Sequence, residues 1–209
     1  MQYVVTKNFN CVPFSDLPDD VREKVREKLA SWETKWDWWE IEYDCFADDM
    51  VERYGIEINT KKSYFSLYPT CASWTLKRIT NWEKLLSALE IAEETECYYI
   101  TDWNDSIEFR AYSGNHGGQY AELDYFTMND DENDSCLMNE DQQEYFMQRV
   151  SRNWHDFCMD IAHEFGKRLE KEYEYRTSED YLSEMADVNE MIFDIETGEI
   201  FHLSDIENS

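Results

Sequence analysis

Residues 141–175 read DQQEYFMQRVSRNWHDFCMDIAHEFGKRLEKEYEY. Apolar residues recur in this stretch every three or four positions, namely Phe146, Val150, Trp154, Phe157, Ile161 and Phe165. Such spacing places them on one face of an α-helix. The sequence therefore predicts one long helix over about 141–175, whose apolar stripe has to pack against other elements to leave water.

Two segments that precede this helix alternate apolar and polar residues, IEFRAY at 107–112 and YAELDYF at 120–126. The glycine-rich turn SGNHGG between them predicts a β-hairpin. A second hairpin is predicted near the end of the sequence, over 191–203, where apolar segments flank a Thr-Gly pair. Both hairpins give antiparallel strands that can cover the long helix.

Further strands are predicted from segments rich in β-branched and aromatic residues. Segments 56–58, 64–68 and 73–76 indicate a three-stranded meander, and 1–6 and 97–100 indicate two more strands. Strands that follow one another without helical crossovers pair antiparallel. We therefore expect the α+β class, with an antiparallel sheet of meander and hairpins packed against several helices, one of them long and in the C-terminal half.

Four other helices are indicated by start and stop signals. Residues 15–20 read SDLPDD, a polar and acidic helix start. A second helix is predicted over about 37–54, with Gly55 directly after its end. The segment that begins at Thr80 starts a third helix, and about 178–188 forms a short one.

The composition is strongly acidic, since 47 Asp and Glu against 19 Lys and Arg give a net charge of −28 in 209 residues. Aromatic residues make up 16%, which argues against disorder, and Gly and Pro are scarce. We expect a single domain over 1–209, with an acidic loop near 129–139 and the terminal hairpin. A field of this sign repels nucleic acid and anionic membranes, so direct binding to either is excluded, and it attracts basic surfaces.

The cysteines are spread along the sequence without any Cys-x-x-Cys pair: Cys11, Cys45, Cys71, Cys97, Cys136 and Cys158. Reduced thiols that pack as small apolar groups are expected in a protein of this size, with a disulfide framework as the alternative. The first residues lack the apolar run of a secretory signal, and no window is apolar enough to span a membrane. These observations predict a cytoplasmic protein.

Candidate metal and catalytic residues are few. His155, Cys158 and His163 share the long helix, but the two histidines are not spaced i, i+4 and no second cluster completes a zinc site. The acidic stretch from Asp130 lacks the Gly and the Glu that an EF-hand needs at its sixth and twelfth positions. His116 lies in a glycine-rich turn, where a turn role is expected. We therefore predict no metal, no cofactor and no catalytic residue, and thus a protein that is not an enzyme.

A row of acids on the long helix is the strongest candidate for a partner-binding site. Asp156, Asp160 and Glu164 stand at i, i+4 and i+8, about 6 Å apart along the helix axis. DNA presents its phosphates at a similar step, with about one charge per 1.7 Å of duplex axis. Carboxylates on a rigid helix could therefore occupy a protein's phosphate sites. The alternative is that the acids only keep the protein in solution.

A loop and a tryptophan cluster supply the other candidates. The acids of the loop are Asp130, Asp131, Glu132 and Asp134. The tryptophans ahead of the second helix are Trp32, Trp36, Trp38 and Trp39. We predict that Trp38 is an exposed aromatic anchor for a partner, because buried aromatic contacts dominate many interfaces. The alternative is that all four tryptophans are at least half buried.

Short sequence blocks follow one another in a distinctive order. They are FSDLPDDVREK at 14–24, WDWWE at 36–40, FSLY at 65–68, ASW at 72–74, YSGNH at 112–116, LEKEYEY at 169–175 and TSED at 177–180. Over nearly the whole sequence these blocks resemble a family of small acidic proteins of unknown role that bacteriophages and prophages encode. That family has Gly and Gln in the loop after the Phe-Ser strand, whereas residues 68–71 read YPTC here. The resemblance implies a phage accessory protein of the bacterial cytoplasm and supplies no reaction.

Charge and resemblance together lead us to expect a protein that binds and inhibits a basic, nucleic-acid-binding host defence protein. A restriction or CRISPR nuclease is the natural target, blocked by mimicry of DNA charge. Two other classes stay open. One is a module that binds a host protein or a toxin without mimicry of DNA. The other sequesters a signalling nucleotide, whose phosphates would need the basic residues Lys61, Lys62, Lys77 and Arg78.

Overall fold

The computed structural model describes residues 8–35, 38–67, 70–91, 107–114, 118–125 and 140–204. The chain groups into two compact units. We call them the terminal unit (Met1–Trp38 and Lys171–Ser209) and the central unit (Trp39–Glu170). The single-domain organisation stays a prediction.

Helices and short antiparallel ladders make up the described residues. The helices are α1 (Asp19–Glu33), α2 (Trp39–Tyr54), α3 (Trp82–Ala88), α4 (Glu140–Arg176) and α5 (Glu179–Val188). The strands are β1 (Cys11–Val12), β2 (Ile56–Ile58), β3 (Tyr64–Leu67), β4 (Thr70–Ser73), β5 (Leu76–Ile79), β6 (Ile107–Ser113), β7 (Gln119–Tyr125), β8 (Met191–Asp194) and β9 (Ile200–His202). The predicted α+β class and its long helix in the C-terminal half are confirmed.

The terminal unit contains a three-stranded sheet in the order β1-β8-β9. The predicted terminal hairpin is β8 and β9, in which Phe193 pairs with Ile200. Strand β1 has only two residues and was not predicted; it pairs with β8 through Cys11 and Val12. This short strand joins the two ends of the described chain in one sheet.

Aliphatic side chains form most of the core of the terminal unit. Its buried members are Phe14, Leu17, Val21, Val25, Leu29, Leu182, Ala186 and Phe193. Pro18 is the N-cap of α1, and Asp19 and Asp20 occupy its first turn at the positive end of the helix dipole. Ser178 caps α5, because its hydroxyl accepts a hydrogen bond from the N–H of Tyr181 at 3.3 Å.

The β2–β5 region of the central unit is nested, and the predicted three-stranded meander is wrong. Strand β2 pairs with β5 through Ile56 and Ile79, while β3 pairs with β4 inside that loop. The segment 73–76, predicted as one strand, is divided between β4 and β5 by Trp74 and Thr75. Trp74 is fully buried. Its main-chain N–H donates to the side-chain oxygen of Gln119 at 2.8 Å rather than to a strand neighbour.

Helices α2 and α4 run antiparallel and pack through aromatic rings. Phe46 stacks on Phe165 with 4.0 Å between ring centroids, and Tyr54 meets Phe157 edge-on at 5.0 Å. Gly55 follows α2 with φ +66°, as its predicted role at the helix end requires. These ring contacts hold the two helices together in the central unit.

The predicted hairpin of β6 and β7 pairs in register from Ile107 opposite Tyr125 to Ser113 opposite Gln119. Its inner face packs on α4, where Trp154 is fully buried and lies 5.0 Å from the ring of Phe109. The Trp154 indole N–H donates to the carbonyl of Arg110 at 3.1 Å. The hairpin is therefore fixed to the predicted apolar stripe of α4.

Several predictions lie outside the described residues, among them the strands at 1–6 and 97–100, the tip residue His116 and the acidic loop. In the described parts of the chain, no helix combines the length and the apolar character that a membrane span needs.

Candidate functional site

The predicted acidic row on α4 points to solvent. Asp156, Asp160 and Glu164 are all exposed, because the buried side chains Trp154 and Ile161 take the opposite face of the helix. The Asp156 carboxylate lies 3.3 Å from His155 Nδ1. The sequence spacing thus gave the correct face of the helix for all three carboxylates.

Basic side chains interrupt this row. Exposed residues of α4 that carry or can carry positive charge are Arg152, His155, His163, Lys167, Arg168 and Lys171. They alternate with the acids along the helix surface, so the negative field of α4 is weaker than the acids alone suggest. Counting carboxylates in the sequence misses this cancellation.

Glu164 stands in a small cleft between α2 and α4. The cleft has a volume of about 60 Å³ and is also lined by Asp49, Arg53, Tyr54 and Arg168. The Arg168 guanidinium donates to Asp49 at 3.0 Å and to another α2 acid at 2.8 Å. Ligand pockets usually measure about 300–1,000 Å³, so this cleft is too small for a nucleotide.

Burial and two acids disfavour ionisation of the tyrosine in this cleft. Partial burial, with the charges of Glu164 and Asp49, raises the pKa of Tyr54, whereas nearby Arg53 acts in the opposite direction. The Arg53 guanidinium lies 4.8 Å from the centre of the Tyr54 ring. Glu164 is therefore part of a mixed-charge cluster, unlike Asp156 and Asp160 further along the helix.

A second acidic row, on α2, was not predicted. Glu40, Asp44, Asp48 and Glu52 follow one another at i, i+4 spacing, and all are exposed. Within the described residues, no basic side chain forms an ion pair with any of these carboxylates. We call them the α2 row. The i, i+4 spacing of these acids was visible in the sequence. There the segment served only to predict a helix, and its acidic face was not considered.

The α2 row has apolar side chains beside it. Ile41 is 65% exposed and Val51 is also exposed, although both are large apolar residues on a helix whose other face is buried. The combination of unpaired carboxylates and exposed apolar side chains is the composition expected where a charged surface also has to make close contact.

Trp38 does not fit its predicted role. It is only 7% exposed and packs against Tyr173 with 6.0 Å between ring centroids, so it is not available as a surface anchor. Trp32 is the exposed member of the cluster in the described residues, at 42%, and the Lys28 ammonium lies 5.1 Å from its ring centre. Trp38 lies directly before α2, which begins at Trp39.

The acids of the predicted loop, Asp130, Asp131, Glu132 and Asp134, lie outside the described residues, so their place in the surface stays a prediction. Two of the four basic residues considered for a nucleotide are already engaged. Lys77 and Arg78 both bond to the Glu57 carboxylate and lower its pKa. Lys61 and Lys62 are exposed on a short 3₁₀ turn.

The position of the Cys158 thiol on α4 makes it unreactive. Cys158 is fully buried, and burial raises the pKa of its thiol well above the ordinary value. In the segments that the structure describes, no three side chains of His, Cys, Asp or Glu converge as metal ligands would. His155 and His163 instead face solvent from α4.

Comparison with protein-family models finds no match to this chain. Comparison with curated proteins and with solved structures finds none either.

Proposed function

We propose that this chain is a non-enzymatic phage accessory protein that binds and inhibits a basic, nucleic-acid-binding host defence protein. The target class is a nuclease of a restriction or CRISPR system. The observation that supports the proposal is the α2 row, a set of exposed carboxylates without ion pairs in the described residues, on a chain of net charge −28. Such a surface is attracted to a groove that is built to hold phosphates.

The α2 row has the dimensions of a short stretch of phosphate charge. From Glu40 to Glu52 it extends about 18 Å along the helix axis, with about 6 Å between successive acids. The helix is held by aromatic packing on α4, so these charges are placed before the partner arrives and little order is lost on binding. Ile41 and Val51 supply apolar contact beside the charges.

Asp156, Asp160 and Glu164 contribute to the same proposal with different weights. Asp160 and Asp156 face solvent on α4, whereas Glu164 shares its cleft with Arg53 and Arg168. We therefore place the main contact on the α2 row and a supporting one on α4. This assignment changes the sequence-based expectation, in which α4 and the acidic loop carried the interaction.

DNA cleavage by purified nucleases, of the restriction and RNA-guided classes, tests the proposal. The chain should inhibit at least one of them, and inhibition should weaken steeply with added NaCl, because the contact is electrostatic. Reversal of the α2 row (Glu40→Lys, Asp44→Lys, Asp48→Lys and Glu52→Lys) should abolish inhibition. The reversal Asp156→Lys, Asp160→Lys and Glu164→Lys should weaken it by a smaller factor.

A matched control is available on α5. Asp180, Glu184 and Asp187 are exposed acids at helical spacing in the terminal unit, and their change to Lys alters the net charge by a comparable amount. Inhibition should survive this change. If no nuclease of either class is inhibited, or if the α5 reversal removes inhibition as fully as the α2 reversal, the proposal is wrong.

A second candidate, an interaction module that binds a host protein or toxin without DNA mimicry, has one observation in its favour. Large apolar side chains, among them Ile41, Val51 and Tyr145, are exposed on α2 and α4. A complex that depends on them would bind with the same affinity at low and high NaCl. The salt dependence in the cleavage assay therefore separates the two functions.

A further inference from the structure

The outer face of the β6–β7 hairpin combines aromatic and acidic side chains. Alternation along the strands buries Ile107, Phe109 and Ala111 and turns their neighbours outward. The outward residues form the register pairs Glu108 with Asp124, Arg110 with Glu122, and Tyr112 with Tyr120. This face is distinct from the α2 row and from the acids of α4.

The two tyrosines form a parallel stack that is open to solvent. Their ring centroids are 5.5 Å apart and the ring planes differ by 8°. Tyr112 is 36% exposed and Tyr120 is 52% exposed, so each ring keeps a face or an edge in water. Aromatic side chains contribute strongly to both cores and interfaces, so an exposed tyrosine pair is a candidate contact surface.

Two contacts hold the stack in place. The Tyr112 hydroxyl donates to Glu122 Oε1 at 2.8 Å. A Cβ added to Gly114 would lie 2.1 Å from Cε2 of Tyr120, so the ring fills the space that only a glycine leaves. Because the rings are fixed in advance, a ligand that stacks on them does not have to order them.

Charge decides which ligand fits this face. Arg110 donates to Glu108 at 2.8 and 2.9 Å and lies 3.0 Å from Asp124, so its charge is balanced by two acids. Glu122 accepts a hydrogen bond from the Tyr112 hydroxyl and forms no ion pair within the described residues, although its charge acts on the nearby Arg110. The face therefore has an excess of negative charge, which disfavours phosphate-bearing ligands and favours a cation.

We propose that Tyr112, Tyr120 and Glu122, which we call the tyrosine platform, bind an arginine side chain of the basic partner. The guanidinium stacks on the Tyr120 ring and donates to the Glu122 carboxylate. Arginine fits better than lysine, since its planar group both stacks on an aromatic face and matches a carboxylate with two donors. The identity of the partner as a basic protein rests on the proposed function above.

Titration of the purified chain with labelled oligoarginine, oligolysine and oligothymidine tests the platform, with fluorescence anisotropy as the readout. At high NaCl, where general attraction is screened, oligoarginine should bind more tightly than oligolysine. Tyr120→Leu and Glu122→Gln should each weaken oligoarginine binding about five- to tenfold and remove the preference for arginine over lysine. Gly114→Ala keeps both groups but displaces the ring, and should reduce the preference in the same direction.

Tyr145→Leu is the matched control, because Tyr145 is an exposed tyrosine on α4 and is not part of the tyrosine platform. It should leave binding unchanged. Far-UV circular dichroism should be unchanged for Tyr120→Leu, Glu122→Gln and Tyr145→Leu, since these side chains are exposed. Equal affinity for oligoarginine and oligolysine, an unchanged Tyr120→Leu variant, or tighter binding of oligothymidine would each overturn the platform.

The nuclease assay separates this proposal from the one on which it rests. If the α2 reversal abolishes inhibition while Tyr120→Leu inhibits like the parent chain, the platform is not part of the partner contact and the proposed function stands. If no nuclease is inhibited but the arginine preference is lost in Tyr120→Leu, the proposed function fails and the platform stands as an arginine-binding site.

Discussion

The terminal and central units are stabilised in different ways. The terminal unit has a mainly aliphatic core, in which Val25, Leu29 and Leu182 pack without directional contacts. The core of the central unit adds a cluster of aromatic rings to its aliphatic side chains, and in this cluster Trp154 meets Phe109 and Trp74 edge-on. The α2 row, the α4 acids and the tyrosine platform all belong to the central unit. The comparison indicates that edge-on aromatic packing supports the elements whose surface charges have to stay in fixed positions.

Truncation of one core residue in each unit is the strongest test of this difference. Trp154→Ala should lower the free energy of unfolding by about 3–5 kcal/mol, because it leaves a cavity and an unsatisfied Arg110 carbonyl. Leu29→Ala, also fully buried, should cost about 2–5 kcal/mol. Urea unfolding followed by circular dichroism measures both.

Hydrogen exchange then shows whether the aromatic contacts of Trp154 hold the β6–β7 hairpin in place. Trp154→Ala should reduce the protection of the β6 amides and the arginine preference of the tyrosine platform together, whereas Leu29→Ala should leave both unchanged. Retention of full β6 protection in Trp154→Ala would contradict the idea that aromatic packing fixes the hairpin.

Glycine substitutions sharpen the comparison at smaller cost. Gly55 in the central unit and Gly198 in the terminal unit both have positive φ. A Cβ at Gly55 would lie 2.5 Å from the main-chain oxygen of Asn81, whereas at Gly198 it would meet a Val25 methyl at 2.6 Å. Each change to Ala should cost about 1–3 kcal/mol, with Gly55→Ala the larger because a main-chain atom cannot move aside.

Gly166→Ala is the control for these two substitutions. Gly166 lies within α4, and an added Cβ would be in ordinary contact with Ala72 at 3.6 Å. We expect this change to be neutral or to stabilise the helix by up to about 1 kcal/mol. Thermal unfolding measures all three, and a Gly198→Ala variant less stable than Gly55→Ala would reverse the predicted order.

The smallest effect concerns one carboxylate in each unit. Asp194 accepts hydrogen bonds from the Thr197 hydroxyl at 2.7 Å, from the Thr197 N–H at 2.9 Å and from the Asn10 N–H at 3.3 Å, and these bonds lower its pKa. A lowered carboxyl pKa stabilises the fold above about pH 4, and this contribution is lost as the pH falls through the lowered value. The difference in unfolding free energy between the parent chain and Asp194→Asn should therefore shrink on acidification.

Glu57 in the central unit provides the contrast. Its pKa is lowered by the exposed Lys77 and Arg78. As for Asp194, the stabilisation that Glu57 contributes is therefore lost as the pH falls. Because exposed ion pairs are screened, the effect of Glu57→Gln should disappear at high NaCl, while that of Asp194→Asn should persist. Unfolding at several pH values and two salt concentrations checks both, and an Asp194 effect removed by salt would contradict its assignment to local hydrogen bonds.

Local patterns in the sequence were enough to predict α4 and the β6–β7 hairpin. The stripe from Phe146 to Phe165 has helical period, and the alternation on both sides of one turn fixes the hairpin register. The nested β2–β5 pairing could not be found in this way, because Trp74 and Thr75 end a strand without Gly or Pro. Strand β1 has too few residues to show any pattern.

The residues of the candidate site show the same difference between local patterns and contacts of distant residues. The exposure of Asp156, Asp160 and Glu164 follows from helical period alone and was predicted. The mixed-charge cleft that contains Glu164 was not, because Arg53 shares this cleft only when α2 packs on α4. The burial of Trp38 similarly depends on Tyr173, far away in sequence. Contacts between distant residues therefore decided which acids and which aromatics stay free.

The pairing of β1 with β8 has a consequence for how the chain is made. The N–H of Asn10 and its acceptor Asp194 are 184 residues apart in sequence. At about 5–20 residues per second, the apolar face of α1 leaves the ribosome roughly ten to thirty seconds before Leu182 and Phe193 can cover it. The central unit, encoded between the two halves, can fold during that interval, while the nascent amino terminus waits as an exposed substrate for chaperones.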